Sequence, residues 1–258
     1  MSELAAVVVA AGRGERLGAG RNKAFVDLGG HPLLAYCLAG LEASPEIAAV
    51  VVAVGSGEED ACRRLLRPYR LSKVVEVVAG GATRQESVAR ALRAVDPRYR
   101  WVAVHDGARP FVSPELVREL ADAARARGAA VPGLALRDTV KRLEGAADRV
   151  AETLPRERLV AVQTPQVFSR SLLEEAHRQA EAKGLIATDD AALVESLGHP
   201  VWVVPGDYRN LKITTPEDLE LAEFYLSRGR VRTFLPSVTG EPGRMLRGNG
   251  RCCASAWE

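Results

Sequence analysis

The chain has 258 residues, 47% hydrophobic and 26% charged, the make-up of an ordinary soluble globular protein with room for one sizeable α/β core. Its net charge of +2 is unevenly spread: residues 227–258 carry six Arg against two Glu, leaving about −2 for the rest and excluding a broad nucleic-acid-binding face. Met1-Ser2-Glu3 lacks a basic n-region and the apolar run behind it stops at Gly12, so no signal peptide and no membrane span are expected. Cys37, Cys62, Cys252 and Cys253 have no C-x-x-C spacing and no His at ligand distance. The reading is a cytoplasmic protein without disulfides or structural zinc, with Cys37 and Cys62 packed as small apolar residues on helices.

Ala5-Ala6-Val7-Val8-Val9 is an unbroken apolar run and reads as a strand buried on both faces. It feeds Ala10-Ala11-Gly12-Arg13-Gly14-Glu15-Arg16-Leu17-Gly18, with Lys23 close behind. Glycines at a strand end let backbone approach an anion, and Arg16 and Lys23 are placed to grip phosphates. The G-x-G-x-x-x-G spacing is one residue longer than the dinucleotide fingerprint. Lys23 stands between Asn22 and Ala24, which is not a P-loop. A glycine-rich strand-to-helix turn without a ligand is the plain alternative.

A helix is expected over Pro32–Glu42, a strand over Ala48–Val54, a helix over Glu58–Leu66 and a strand over Val74–Val78. Gly80-Gly81-Ala82-Thr83-Arg84-Gln85-Glu86-Ser87-Val88 then opens a helix running to Val95. Gly81 can admit a planar base to the backbone, and Ser87 and Arg84 can hydrogen-bond base or phosphate; the alternative leaves both on a solvated first turn. Strand Trp101–Val104 ends in His105-Asp106-Gly107-Ala108-Arg109-Pro110, and Ser113 caps a helix over Pro114–Arg127. Asp106 at a strand end suits Mg²⁺, or else it caps the turn or pairs with Arg109. His105 reads as a hydrogen-bonded scaffold residue, and His31, His177 and His199 as isolated surface residues. This βαβα alternation implies a Rossmann-like α/β fold: a mostly parallel twisted sheet with helices on both faces and ligands beyond the strands' carboxyl ends.

The rhythm breaks at Arg137–Leu143 and Arg149–Leu154, polar strands around Gly145-Ala146-Ala147-Asp148, which read as a projecting β-hairpin arm over about 137–156. Such a ribbon is marginal alone, so it lies either on a partner subunit or on its own domain. Strand Leu159–Val162, helices Ser169–Lys183 and Asp189–Leu197, strands Val201–Val204 and Asn210–Thr214, and a helix from Pro216 capped by Thr215 follow. For Thr188 the plain alternative to a binding role is the N-cap of the second of these helices. The main domain is drawn at 1–226, and 227–258 is read as a tail that is disordered or loosely attached. Thr139, Arg156, Thr164, Thr188 and Lys212 supply the hydroxyls and cations suited to a small phosphorylated polyol.

Together these motifs resemble one family. A-A-G-x-G-x-R-L with a lysine seven residues past the arginine, G-G-x-x-R-x-x-S-V, H-D-x-A-R-P, R-D-T-x-K-R, T-P-Q, T-D-D-A and N-x-K-I-T run in order from about residue 5 to 226. They are similar to those of the 2-C-methyl-D-erythritol 4-phosphate cytidylyltransferases of the non-mevalonate isoprenoid route. At Asn22-Lys23-Ala24 the chain departs from the Pro-Lys-Gln of many relatives but keeps the lysine. The resemblance implies transfer of a cytidylyl group from CTP to methylerythritol phosphate with Mg²⁺ or another divalent cation, releasing pyrophosphate. It implies Arg16 and Lys23 as catalytic cations, and Ala10, Ala11, Gly12, Gly14, Gly81, Ser87 and Asp106 as nucleotide contacts. Asp106, also the metal carboxylate, would join Arg109, Thr139, Arg156, Thr164, Thr188 and Lys212 in holding the acceptor. A homodimer through the arm is implied as well. The competing readings are another sugar- or ribitol-phosphate nucleotidyltransferase, a non-catalytic nucleotide-binding dimerisation module, and a Rossmann dehydrogenase, which the glycine spacing disfavours.

Overall fold

In the computed structural model, residues 3–12, 14, 22–145 and 148–235 are described. The elements in chain order begin with β1 (Leu4–Ala10), β2 (Asp27–Leu28), β3 (His31–Pro32), α1 (Leu33–Glu42), β4 (Ile47–Val54), α2 (Glu59–Leu66), β5 (Val74–Ala79), α3 (Arg84–Ala94), β6 (Trp101–Asp106) and α4 (Pro114–Arg127). Then come β7 (Ala129–Ala135), β8 (Val140–Leu143), β9 (Val150–Leu154), β10 (Val160–Val162), β11 (Gln166–Ser169), α5 (Arg170–Lys183), α6 (Asp190–Glu195), β12 (Trp202–Pro205) and α7 (Pro216–Ser227).

The central sheet has the order β10-β7-β11-β6-β1-β4-β5, with β12 also paired to β7. β1, β4, β5 and β6 are mutually parallel, so their carboxyl ends share one edge. β11 runs antiparallel between β6 and β7, which brings its beginning, not its end, to that edge. β1 lies in the middle because alternate residues serve opposite faces. Leu4, Ala6, Val8 and Ala10 pack under α1, α2 and α4, while Ala5 and Val7 pack under α3, α5 and α6. Each fully buried Val or Leu contributes about 1.5–3 kcal/mol, and α1 buries every residue from Leu33 to Leu41. Ser113 and Thr215 accept the backbone N–H groups of Leu116 and Asp218 as helix caps, as expected. Cys37 and Cys62 are buried and free; burial pushes the Cys62 thiol up to about 12 and the Cys37 thiol higher still.

Several expectations need correction. Asn210–Thr214 forms no strand: it is irregular chain tied down by Ile213 N–H donating to the Ala108 carbonyl at 2.9 Å. The N-cap of α6 is Asp189, whose carboxylate accepts the Ala192 N–H, while Thr188 is exposed. His177 is buried and paired, not a surface residue. Strands β7 and β11 were not anticipated. Beyond α7 the chain stays attached for a further stretch, with Val231 and Leu235 half-buried on a third cluster around Val26, Leu28, Leu33 and Ile213. Residues 236–258, including Cys252 and Cys253, lie outside the described residues. β8 and β9 do pair antiparallel as a separate two-stranded ribbon, with Val140 opposite Leu154. Among the described residues no helix is long and apolar enough to cross a membrane.

Candidate active site

A pocket of about 1070 Å³ opens where the four parallel strands end. Its floor is Ala10, Ala11, Gly12 and Gly14 after β1, Gly55 and Ser56 after β4, Gly80 and Gly81 after β5, and Asp106 at the end of β6. Lys23, Arg84, Arg90 and Lys212 line it against two carboxylates, Glu58 and Asp106, so its electrostatic bias favours an anion.

The Gly80–Gly81 wall is shaped from within. A Cβ on Gly80 would stand 2.8 Å from Ser87 Oγ and 2.9 Å from the Val54 carbonyl oxygen, and one on Gly81 would stand 2.2 Å from Glu86 Cβ. Gly81 N–H donates to Ser87 Oγ at 3.0 Å, and that hydroxyl donates to the Thr83 carbonyl at 2.8 Å. Ser87 therefore holds the loop's shape, and Arg90 adds a 2.7 Å bond to the Gly80 carbonyl.

Asp106 is the centre of the opposite wall. Its two oxygens meet Lys212 Nζ at 2.7 Å, Arg84 Nε at 3.1 Å and Arg109 Nε at 4.0 Å. Burial alone pushes this carboxyl up, but Arg84, Lys212 and Arg109 together hold it well below the usual carboxylate range. Arg84 is itself shared: its Nη1 lies 2.7 Å from Asp190, a fully buried carboxylate that also meets His177 Nε2 at 2.9 Å. Burial pushes the Arg84 guanidinium down and the Asp190 carboxyl up. Asp190 and Asp106 outweigh burial at the former, and His177 and Arg84 outweigh it at the latter. Arg84 thus sits between two acids at the pocket wall and not on a solvated turn.

Behind this wall a hydrogen-bond knot fixes the backbone. Thr164 Oγ1 accepts the Asp106 N–H at 3.0 Å and donates to His105 Nδ1 at 2.9 Å, because the other ring nitrogen faces a carbonyl and must hold the ring proton. His105 then carries its proton on Nε2, facing the Arg109 carbonyl, and burial pushes the imidazole down to about 4. It is a neutral scaffold residue, as expected. Asn210 donates to the Thr164 carbonyl at 2.8 Å, while its own carbonyl accepts from Arg109 at 2.7 Å.

Of the residues singled out in sequence, Lys23, Ala10, Ala11, Gly12, Gly14, Gly81, Ser87, Asp106 and Lys212 are brought together in the pocket lining. Arg109 and Thr164 are buried behind Asp106 and support it. Thr139 and Arg156 flank the β8–β9 ribbon and, like Thr188, are exposed and outside the lining. Arg16 lies outside the described residues. Glu58 and Arg90 were missed as parts of the lining, and Asp190 and Asn210, though inside the motifs T-D-D-A and N-x-K-I-T, were given no role. The signal for Asp190 was an acid directly preceding the apolar run Ala191–Val194. No group of three or more His, Cys, Asp or Glu that could cage a metal exists among the described residues. Asp106 with phosphate oxygens is a donor set that fits Mg²⁺, which takes few protein carboxylates when phosphates supply the rest.

A glycine-floored, cationic pocket at the carboxyl edge of a parallel sheet, with a strand-end Asp and, among the described residues, no Cys or His in its lining, has the make-up of a nucleotide-binding transferase site. The profile of the family described as "IspD: 2-C-methyl-D-erythritol 4-phosphate cytidylyltransferase" matches residues 4–228. The 2-C-methyl-D-erythritol 4-phosphate cytidylyltransferase of Geobacillus thermodenitrificans is 46% identical over 222 residues, covering 86% of this chain and 96% of the relative. Among solved structures, the enzyme of that name from Thermus thermophilus superposes with a TM-score of 0.70 at 43% identity over 86% of this chain and 98% of its own. The 4-diphosphocytidyl-2C-methyl-D-erythritol synthase of Anaerococcus prevotii gives 0.77 at 31% identity over 88% and 96%. The chain belongs to the 2-C-methyl-D-erythritol 4-phosphate cytidylyltransferase family, nucleotidyltransferases of isoprenoid biosynthesis.

Proposed function

We propose that the chain transfers the cytidylyl group of CTP to the phosphate of 2-C-methyl-D-erythritol 4-phosphate. An oxygen of the acceptor phosphate attacks the α-phosphorus, the bond from that phosphorus to the bridging oxygen breaks, and pyrophosphate leaves. The products are pyrophosphate and 4-diphosphocytidyl-2-C-methyl-D-erythritol. The observation that carries this reading is the pairing of a backbone-floored pocket with converging cations around Asp106. The nucleophile is already an anion, so the protein's task is orientation and charge neutralisation, and no side-chain nucleophile is needed.

In this reading Lys23 and Arg16 neutralise charge developing on the triphosphate, and Lys212 meets a phosphate from the Asp106 side. Ala10, Ala11, Gly12, Gly14 and Gly81 offer backbone to the nucleotide, with Ser87 keeping the Gly80–Gly81 turn in shape. Mg²⁺, held by Asp106 and phosphate oxygens, supplies further charge neutralisation when bound. The acceptor site is completed across a homodimer by Thr139 and Arg156 of the ribbon. Its support is their exposure, together with the solvent-facing apolar side chains Leu143 and Val150 on the ribbon and Val160, Val162 and Val203 on the sheet. The reaction is placed in the cytoplasm.

The test is pyrophosphate release with Mg²⁺, methylerythritol phosphate and each nucleoside triphosphate in turn. Acceptor-dependent release with CTP is expected. Release only with a different sugar phosphate or ribitol phosphate identifies the site as another nucleotidyltransferase's. Chemical crosslinking of the ribbon should trap a dimer, and a strictly monomeric active enzyme would remove the shared acceptor site.

A further inference from the structure

Asn22 is buried at the pocket margin, 5% exposed, and its amide is fully employed. Nδ2 donates to the Ala10 carbonyl and to Glu58 Oε2, both at 2.6 Å, and Oδ1 accepts the Ala24 N–H at 3.0 Å. Glu58 Oε2 also accepts the Gly55 N–H at 2.9 Å. These bonds join the end of β1, the turn after β4 and the short 3₁₀ turn Lys23–Phe25, which starts at Lys23. The Lys23 N–H is tied in as well, donating to the Gly12 carbonyl at 3.1 Å.

Two further features show that this arrangement is built. Glu58 stands at the N-cap of α2 yet gives that helix no side-chain cap, its carboxylate being turned to Asn22. Gly55 has no positive φ to demand glycine, but a Cβ there would lie 2.5 Å from Glu58 Oε2 and 2.9 Å from its Cδ. Glycine is needed for the carboxylate to fold back over position 55. A carboxylate lining an anion pocket opposes phosphate by charge, and its two accepted hydrogen bonds give it a purpose there.

We infer that Asn22 and Glu58 form a clamp that positions Lys23 for the phosphoryl transfer, with Gly55 making room for it. This rests on the reading of Lys23 as a phosphate-gripping cation. Both are positioning residues, acting through Lys23 and not on the substrate.

The experiment is steady-state kinetics with CTP, Mg²⁺ and methylerythritol phosphate on Asn22→Ala, Gly55→Ala, Glu58→Ala, Glu58→Gln and Lys23→Ala, and on Lys23→Ala combined with each of the first two. Gly55→Ala is the gentlest probe, because the three atoms nearest its new methyl all belong to Glu58, whose flexible end can swing away. Asn22→Ala and Gly55→Ala are expected to lower kcat roughly tenfold to a hundredfold, as a misplaced catalytic group does, with KM for the acceptor within about twofold. In the Lys23→Ala background the same changes should add less than about a further twofold, since groups acting as a unit are non-additive. Glu58→Gln, which keeps an acceptor oxygen, should recover most of what Glu58→Ala loses. Wild-type kcat in Asn22→Ala and Gly55→Ala, or full multiplicative losses on top of Lys23→Ala, would overturn the clamp while leaving the role of Lys23 intact. Normal turnover in Lys23→Ala overturns the reading of Lys23 itself and the clamp's purpose with it.

Discussion

At the Asp106 end of the pocket, charged side chains are locked onto one another, whereas at the Gly80–Gly81 end the wall is backbone shaped by Ser87, Glu86 and Arg90. The first end sets the electrostatic field and the second sets the form. The difference predicts different failures. Removing one member of a buried ion cluster strands its partners, while adding one carbon to the glycine wall obstructs a space.

The largest effect should come from the cations assigned to the triphosphate. Lys23→Ala and Arg16→Ala are each expected to lower turnover on the order of a hundredfold or more, about 3 kcal/mol of transition-state stabilisation, with an unchanged urea midpoint. Near-normal rates in both would remove these two cations from the catalytic assignment. Asp106→Asn should damage the fold as well as the rate, because Arg109 would keep a buried positive charge without its anion and Arg84 would be left with Asp190 alone. A loss of about 3–5 kcal/mol in urea unfolding is expected, and an unaltered midpoint would mean that the cluster is not a stabilising unit.

A comparable loss should appear with pH alone. His105 is buried neutral with its folded value near 4, against an ordinary value of 6.5. From about pH 6.5 down to 4 only the unfolded chain takes up this proton, so stability falls by about 3 kcal/mol across that window and levels off below it. Asp106, held low in the fold, adds its own loss only once pH drops below the ordinary carboxylate value, where the unfolded chain protonates first. Urea midpoints measured from pH 7 to 4 should show the slope, and His105→Gln should flatten it. The smallest change is expected from Gly80→Ala, roughly 1–3 kcal/mol, the cost of overpacking, because its Cβ would press on the Val54 carbonyl oxygen and the Ala11 Cβ, which must shift to admit it. Its signature at the glycine end should be a raised KM for CTP with a nearly intact kcat.

What the sequence made legible follows the same division. The glycine end is local: strand, glycines and helix cap are consecutive in the chain, and their periodicities reveal them. The charged end is not. Arg84 and Asp190 are 106 residues apart, and only the sheet brings the guanidinium to the carboxylate. β7 escaped notice because Pro132 and Gly133 interrupt its apolar run, and β11 because four residues carry too little pattern. Asn210–Thr214 looked like a strand by composition, but its side chains are fixed by the knot at Thr164 and by the third core and not by a ladder. The family motifs still pointed to most of the pocket lining, since motif residues at strand ends need no long-range contact to be noticed.

Lys212 and Ile213 are neighbours in that irregular segment, yet the ammonium meets Asp106 while the isoleucine is fully buried in the cluster beneath α7. One peptide unit therefore serves as the fulcrum between two parts of the protein that share no chemistry. Loosening of α7 is therefore expected to draw the Lys212 charge back from the pocket that it lines. Truncations or substitutions that undock α7 should thus silence the enzyme while the central sheet is still intact, so that activity reports the seating of the C-terminal segment earlier than any spectroscopic measure of folding.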